Sequence, residues 1–282
     1  MPRLFLAILF LAAGCSATVE QTAPAMAGPT GPPALELQWI AEGFEAPEGV
    51  APAPDGGYFI SNVNGDGTAK DGNGYVTHLS ADGTVLERYW AAKLNAPKGM
   101  TVLDGKLYVA DIADVVVFDA TDGRRLERIR IEGATFLNDV TSWNGVVYVS
   151  DSRGASIYAV SDVAYEVWLS DARLAGVNGL LGDGERMLVS TMTTGSLFSV
   201  SPDGVLTEIA TGMENADGIG LVPDGGYLVS SWPGQIHYVG EDGAVTTLVD
   251  GEVMQNDLTV IGNAVIVPNW GQNTVTMWKV GR

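Results

Sequence analysis

Apolar and polar positions along the chain fall into short alternating runs, and one arrangement of them recurs six times. The segments "APEGVAPAPDGGYFISN", "APKGMTVLDGKLYVAD", "LNDVTSWNGVVYVSD", "VNGLLGDGERMLVST", "ADGIGLVPDGGYLVSS" and "QNDLTVIGNAVIVPN" each pass a polar residue and enter a short strand-like run. Each then breaks at a turn carrying Asp-Gly, Asn-Gly or Gly-Asn and resumes as a second apolar run, such as Leu107 to Ala110 or Met187 to Val189. Asn-Gly and Asp-Gly supply the positive φ angles that tight hairpins need, so each pair of runs predicts a hairpin. A third run follows, "SIYAV" or "SLFSV", and then a fourth, "VLERYW" or "VLTEIA".

The polar residues that open the repeats are Glu48, Lys98, Asn138, Asn178, Asp217 and Asn256, at intervals of 50, 40, 40, 39 and 39 residues. The one long interval contains a Gly- and Asp-rich insertion, "NGDGTAKDGNG" at 64–74. Four antiparallel strands repeated at this period describe a blade of a β-propeller, and the chain is expected to be all-β with six blades over residues 35–282. Closure is legible as well. The last repeat ends after its third strand, "VTMWKV", whereas "LELQWIAEGFEAPEGV" at 35–50 aligns with "VLERYWAAKLNAPKGM" at 85–100. The N-terminal strand, Leu35 to Ala41, therefore predicts the missing fourth strand of the sixth blade and removes an exposed edge.

The first residues follow a different pattern. "MPRLFLAILFLAAGC" has one basic residue, an apolar run and a lone cysteine, and reads as a secretory signal over 1–14 that is too short to span a bilayer. "LAAGC" resembles the lipobox of bacterial lipoproteins, which implies lipidation at Cys15 and an exported, membrane-anchored domain at the cell envelope. Residues 15–34, small and Pro-rich, read as a flexible tether. With one cysteine in the chain there is no internal disulfide. The formal charge of −19 disfavours nucleic acid and anionic lipid heads as partners and favours cations.

In a propeller, equivalent entrances to the innermost strands surround one axis, so the six polar residues form a ring. Their side chains differ, which a mere turn requirement does not explain. Glu48, Asn138, Asn178 and Asp217 offer four hard oxygen donors, two of them charged, a set suited to Ca2+ or to another divalent cation such as Mg2+ or Mn2+. Zn2+ is disfavoured because neither His78 nor His237 falls on the ring. Read as turn chemistry alone, the same residues cap strand-end amides.

The repeats with "PEGV", "LND", "VNG" and "ADG" resemble the gluconolactonase and senescence marker protein (regucalcin) family, related to the diisopropyl-fluorophosphatase and paraoxonase propellers. The resemblance implies a metal-dependent hydrolase of a small lactone or ester. It places a catalytic divalent ion on Glu48, Asn138, Asn178 and Asp217, with Asp217 also the general base. Asp139, Asn256 and Asp257 are expected to support the ring, and Asp151, Thr191, Ser231 and Asn269 to line the channel mouth. Trp232 and Trp270 are expected to wall a pocket for a small-molecule substrate. Lys98, in the second ring position, calls for pairing with Glu48 or with an anionic group of the substrate. An arginine found in sugar-lactone hydrolysing members two residues before the third-blade Asn is replaced here by Phe136. The competing reading is a non-catalytic, envelope-anchored propeller of NHL type that binds a protein or ligand on its rim. Trp39, Trp90, Trp168 and Trp278 are expected to pack between and within blades, and the 64–74 insertion to be a solvated loop.

Overall fold

A computed structural model describes residues 31–161, 164–251 and 256–281. The chain divides into Met1–Thr30 and Gly31–Arg282, so the proposed signal, Cys15 and most of the tether lie outside the described residues. No helix among the described residues is long and apolar enough to cross a membrane.

Strand β1 (Ala34–Glu42) comes first in the chain and belongs to the last blade. Blade one is β2 (Pro47–Pro52), β3 (Tyr58–Asn62), β4 (Gly74–Leu79) and β5 (Val85–Leu94), and blade two is β6 (Pro97–Leu103), β7 (Lys106–Asp111), β8 (Asp114–Asp119) and β9 (Arg125–Arg130). Blade three comprises β10 (Leu137–Trp143), β11 (Val146–Asp151), β12 (Ser156–Val160) and β13 (Tyr165–Ser170). Blade four comprises β14 (Val177–Asp183), β15 (Arg186–Thr191), β16 (Ser196–Val200) and β17 (Leu206–Ala210). In blade five stand β18 (Ala216–Leu221), β19 (Tyr227–Ser231), β20 (Gln235–Val239) and β21 (Val245–Asp250). The sixth is β22 (Thr259–Ile261), β23 (Ala264–Asn269), β24 (Thr274–Gly281) and then β1.

The molecule is thus a six-bladed β-propeller closed by its own first strand, as the repeats predict. β1 pairs antiparallel with β24 from Ala34↔Gly281 to Glu42↔Thr274, covering the edge that β24 would otherwise expose. The ring is tied again where blade six meets blade one. Thr259 Oγ1 donates to the Val50 carbonyl at 3.0 Å, and the Ala46 amide donates to Asn273 Oδ1 at 2.8 Å. The hairpins form where the sequence carries positive-φ turn residues: Asp104-Gly105 and Asn144-Gly145 each have both residues in that region.

Packing between and within blades explains the outer tryptophans. Trp39 of β1 lies 6.3 Å from Tyr58 of the neighbouring blade, and Trp90 stacks on Phe59 at 4.2 Å. Trp168 sits edge-on to Tyr148 at 4.9 Å. Trp278 belongs to β24, the third strand of its blade, with β1 outside it.

Candidate functional site

The first strands of the blades touch in a closed circuit, β2 to β6, β10, β14, β18 and β22 and back to β2. Five of them share a distortion at the ring position. In blade one, Pro47 pairs with Asn62 and Val50 with Ile60, so Glu48 and Gly49 stand opposite the single residue Ser61. The same register shift occurs at Lys98-Gly99, Asn138-Asp139, Asn178-Gly179 and Asp217-Gly218. Such a β-bulge turns consecutive side chains out of the normal alternation. It is why two polar residues stand side by side at the threshold of a buried strand.

A second repeated residue holds each bulge, and it is one the sequence reading overlooks. The amides of Gly49, Asp139, Gly179 and Gly218 donate to the hydroxyls of Ser61, Ser150, Ser190 and Ser230 at 2.8–2.9 Å. Ser150 donates onward to the Asn178 carbonyl at 2.8 Å, and Ser190 to the Asp217 carbonyl, so a bulge in one blade is bonded to the ring residue of the next. The signal was present as Ser in the penultimate position of the second strand in four repeats. Ala110 and Pro268 take that place in blades two and six.

All six ring residues are buried, with 3–6 % of their surface exposed. Asn138 Nδ2 donates to Ser152 Oγ at 3.2 Å, and Ser152 donates to the Val177 carbonyl at 2.6 Å. That bond engages the amide nitrogen and leaves Oδ1 as the atom of Asn138 free to accept a hydrogen bond or ligate a cation. The side chains of Glu48, Asn178 and Asp217 make no hydrogen bond among the described residues.

One step along the strands, Asp139 and Asp257 stand in the channel. Asp139 accepts from the Val140 amide at 2.7 Å and from the Leu180 amide of the next blade at 2.6 Å. Asp257 accepts from the Leu258 amide at 2.7 Å. Both line a cavity of ≈ 270 Å³ that continues between the inner strands past Val50, Met100 and Ile219.

These carboxyls are partly or wholly withdrawn from bulk water and repel one another. Burial and then Asp217 push Glu48 well above the usual carboxylate range, with Lys98 opposing. Asp217 is pushed up to about 7 by burial and by Asp139, and Asp139 to about 7 by burial, against its two amide donors. Burial, Asp139, Asp217 and Glu48 raise Asp257 further. Burial drives Lys98 toward its neutral form, with Glu48 pulling the other way.

The donor set fits a hard divalent cation. Two buried carboxylates without hydrogen-bond donors carry a desolvation cost that such an ion offsets, and the amide oxygens complete an all-oxygen set. Among the described residues no three His, Cys, Asp or Glu side chains gather as a metal site, so an ion at the ring takes half its donors from Asn138 and Asn178. His78 and His237 lie on β4 and β20, away from the ring.

The mouth differs from expectation in one respect. Asp151, Thr191, Ser231 and Asn269 are fully or almost fully buried and do not line it. Asp151 instead accepts from the Phe136 amide at 3.2 Å, fixing the loop that leads to Asn138. Asp111 does the same one blade earlier, accepting from Asn95 and Ala96. The residues beyond these strand ends do reach the mouth: Trp232 and Trp270 are half-buried and edge-to-face at 6.3 Å. The 64–74 insertion lies beside them. Gly67 approaches the Trp270 ring, and its carbonyl accepts from Lys98 Nζ at 3.0 Å. Asp66 is occupied by the Thr68 amide and hydroxyl, and Asp71 by Asn73, so the insertion's carboxylates bond within their own loop. Asn256, in the sixth ring position, keeps a buried Oδ1 with no partner among the described residues.

No protein-family model matches the chain, and no curated protein matches it in sequence. Solved structures do. A gluconolactonase from Xanthomonas campestris superposes with a TM-score of 0.65 at 15% identity, covering 90% of this chain and 99% of that one. Virginiamycin B lyase from Staphylococcus aureus gives 0.63 at 10% identity, over 87% of this chain and 99% of that one. A chain of the nidogen/laminin complex gives 0.60 at 14% identity, over 74% of this chain and 86% of that one. At such identities the likeness shows the fold, which two kinds of enzyme and a component of a protein complex share.

Proposed function

We propose that this protein is a divalent-metal-dependent hydrolase of a small lactone or ester, gluconolactonase-like, acting at the mouth of the propeller channel. The carrying observation is the ring itself: Glu48, Asn138, Asn178 and Asp217 are buried together, and neither carboxylate has a hydrogen-bond donor among the described residues. Glu48 and Asp217 supply the negative charge for an ion, with Ca2+ the best match to an all-oxygen set, and Asn138 and Asn178 supply neutral oxygens. When bound, the ion contributes Lewis-acid stabilisation of negative charge on a carbonyl oxygen.

The other parts of the task fall to the chain. Asp217 is the base that takes a proton from the attacking water. Ser152 keeps the Asn138 oxygen facing the ring by holding its amide nitrogen. Trp232 and Trp270 give the substrate an apolar wall. Export and lipid anchoring through Cys15 put this activity at the cell envelope.

Hydrolysis of δ-lactones and aryl esters by the full-length protein, with Ca2+ and with EDTA, tests the reading. Turnover that requires Ca2+ and falls by about 100-fold or more in Asp217→Asn supports it. Turnover indifferent to EDTA contradicts it. A second reading, an envelope propeller that binds without catalysis, draws on Lys98, a cation already within the ring, and on the fold shared with the nidogen/laminin chain. Absence of both ion binding and turnover would put it first.

A further inference from the structure

The arginines of this acidic chain are mostly paired: Arg88 with Glu45, Arg128 with Asp111 and Asp114, Arg173 with Asp171, Arg186 with Asp183. Two cations at the channel mouth break that rule. Lys98 is 3 % exposed and Arg153 is exposed, and neither makes an ion pair among the described residues. Both lie over one aromatic ring, with Lys98 Nζ 4.6 Å and Arg153 Cζ 4.7 Å from the centre of Phe136.

Lys98 Nζ has three N–H donors, of which two reach the Gly67 and Ala96 carbonyls at 3.0 and 3.1 Å. Its two acceptors are neutral carbonyls, and the Glu48, Asp111 and Asp66 carboxylates act on it through space without an ion pair among the described residues, so one N–H is left for an anion. The arrangement is braced. The Phe136 amide donates to Asp151, the Ser152 amide donates back to the Phe136 carbonyl at 3.0 Å, and Ser152 is the residue that orients Asn138. The two cations are therefore fixed to the same pair of loops that set one of the ring donors.

We infer that Lys98 and Arg153, seated on Phe136, form an anion subsite beside the ring, and that the substrate is an organic acid anion carrying its carboxylate alongside the ester or lactone group. The substrate class rests on the hydrolase reading; the subsite itself does not. Arg153 gives the reachable, fork-shaped donor and Lys98 the buried point charge. Phe136, in place of an arginine, provides the surface that holds both.

Calorimetry on the full-length protein with Ca2+ present, titrating monomethyl glutarate against neutral dimethyl glutarate, tests this. The monoanion is expected to bind about tenfold or more tightly than the diester, as a charge-assisted contact implies, and added salt near 0.5 M should shrink the difference. Arg153→Gln, at an exposed position that the fold tolerates, should cut the preference by about fivefold, and Lys98→Met should remove it. Equal binding of the two probes overturns the subsite, as does a preference that both variants retain. A preference lost in EDTA but unchanged by the variants assigns the carboxylate to the ion and overturns it equally. If the preference follows Lys98 and Arg153 while neither ester is hydrolysed, the subsite stands and the hydrolase reading fails.

Discussion

Asn138 illustrates how much one side chain depends on its neighbours. Ser152 takes its amide nitrogen, which leaves the side-chain oxygen without a partner among the described residues, and Ser152 is in turn bonded to the Val177 carbonyl. Ser152→Ala should leave the fold intact and weaken Ca2+ binding by about tenfold or more, measured by calorimetry, because an unanchored amide can present either end. Asp217 of the ring and Asp139 beside it set a pH signature in the metal-free protein. Asp217 and Asp139 hold their protons up to about 7 in the folded state, against about 3.9 when unfolded. Between those values the folded state binds more protons, so stability is fullest at the acidic end of the window and falls as pH rises through it. In EDTA the melting temperature should be higher at pH 5 than at pH 8, and excess Ca2+ should raise it most at pH 8. His237, whose imidazole burial holds low, opposes this trend within the window, but it is one group against the four raised carboxyls of Glu48, Asp139, Asp217 and Asp257 and does not reverse the sign. Asp171, held down to about 2 by the Arg173 side chain and amide, titrates below the window. A melting temperature that climbs from pH 5 to pH 8 without metal would contradict the assignment. At this scale the donors were readable as polar residues at repeated positions. Ser152 was not, because its bond to Asn138 crosses between loops.

The recurring element is a bulged inner strand locked by a serine of its neighbour. Ser150 and Ser190 each accept from a bulge amide and donate to the next blade, so losing the hydroxyl strands a buried amide and a carbonyl. Ser150→Ala and Ser190→Ala should each cost about 1–3 kcal/mol in denaturant unfolding. Gly179→Ala should cost more, since its Cβ would overlap the Asp217 carbonyl and the Ser190 hydroxyl, both fixed parts of the ring. If Ser190→Ala is neutral, the bulge is held by the strand ladder alone. The repeat made the strands and turns legible, because period and turn chemistry are local. Bulges are harder to see: two polar residues before an apolar run read equally well as a loop. The contact that Asp151 makes is hidden for a related reason. The end of a second strand carries Asn, Asp, Thr or Ser in different blades, and sequence does not reveal that Asp151 turns inward to the Phe136 amide.

For the whole molecule, closure matters most, since the four candidate donors, one from each of four blades, can share an ion only if the ring is complete. Alignment of 35–50 with 85–100 was enough to place β1 against β24, because both segments carry the same pattern. Deleting residues 34–42 should expose the β24 edge, abolish cooperative unfolding and promote association, seen by light scattering. The approach of the 64–74 insertion to Lys98 and Trp270 was not legible, because those contacts join residues about 30 and 200 positions apart with no local pattern between them. The central claim is that the completed ring is a metal site. Ca2+ titration by calorimetry of the full-length protein, beside Asp217→Ala and Asn178→Ala, addresses it directly. The account predicts about one ion per chain, bound by the wild type and lost in both variants. No binding, or binding that survives both substitutions, would contradict it.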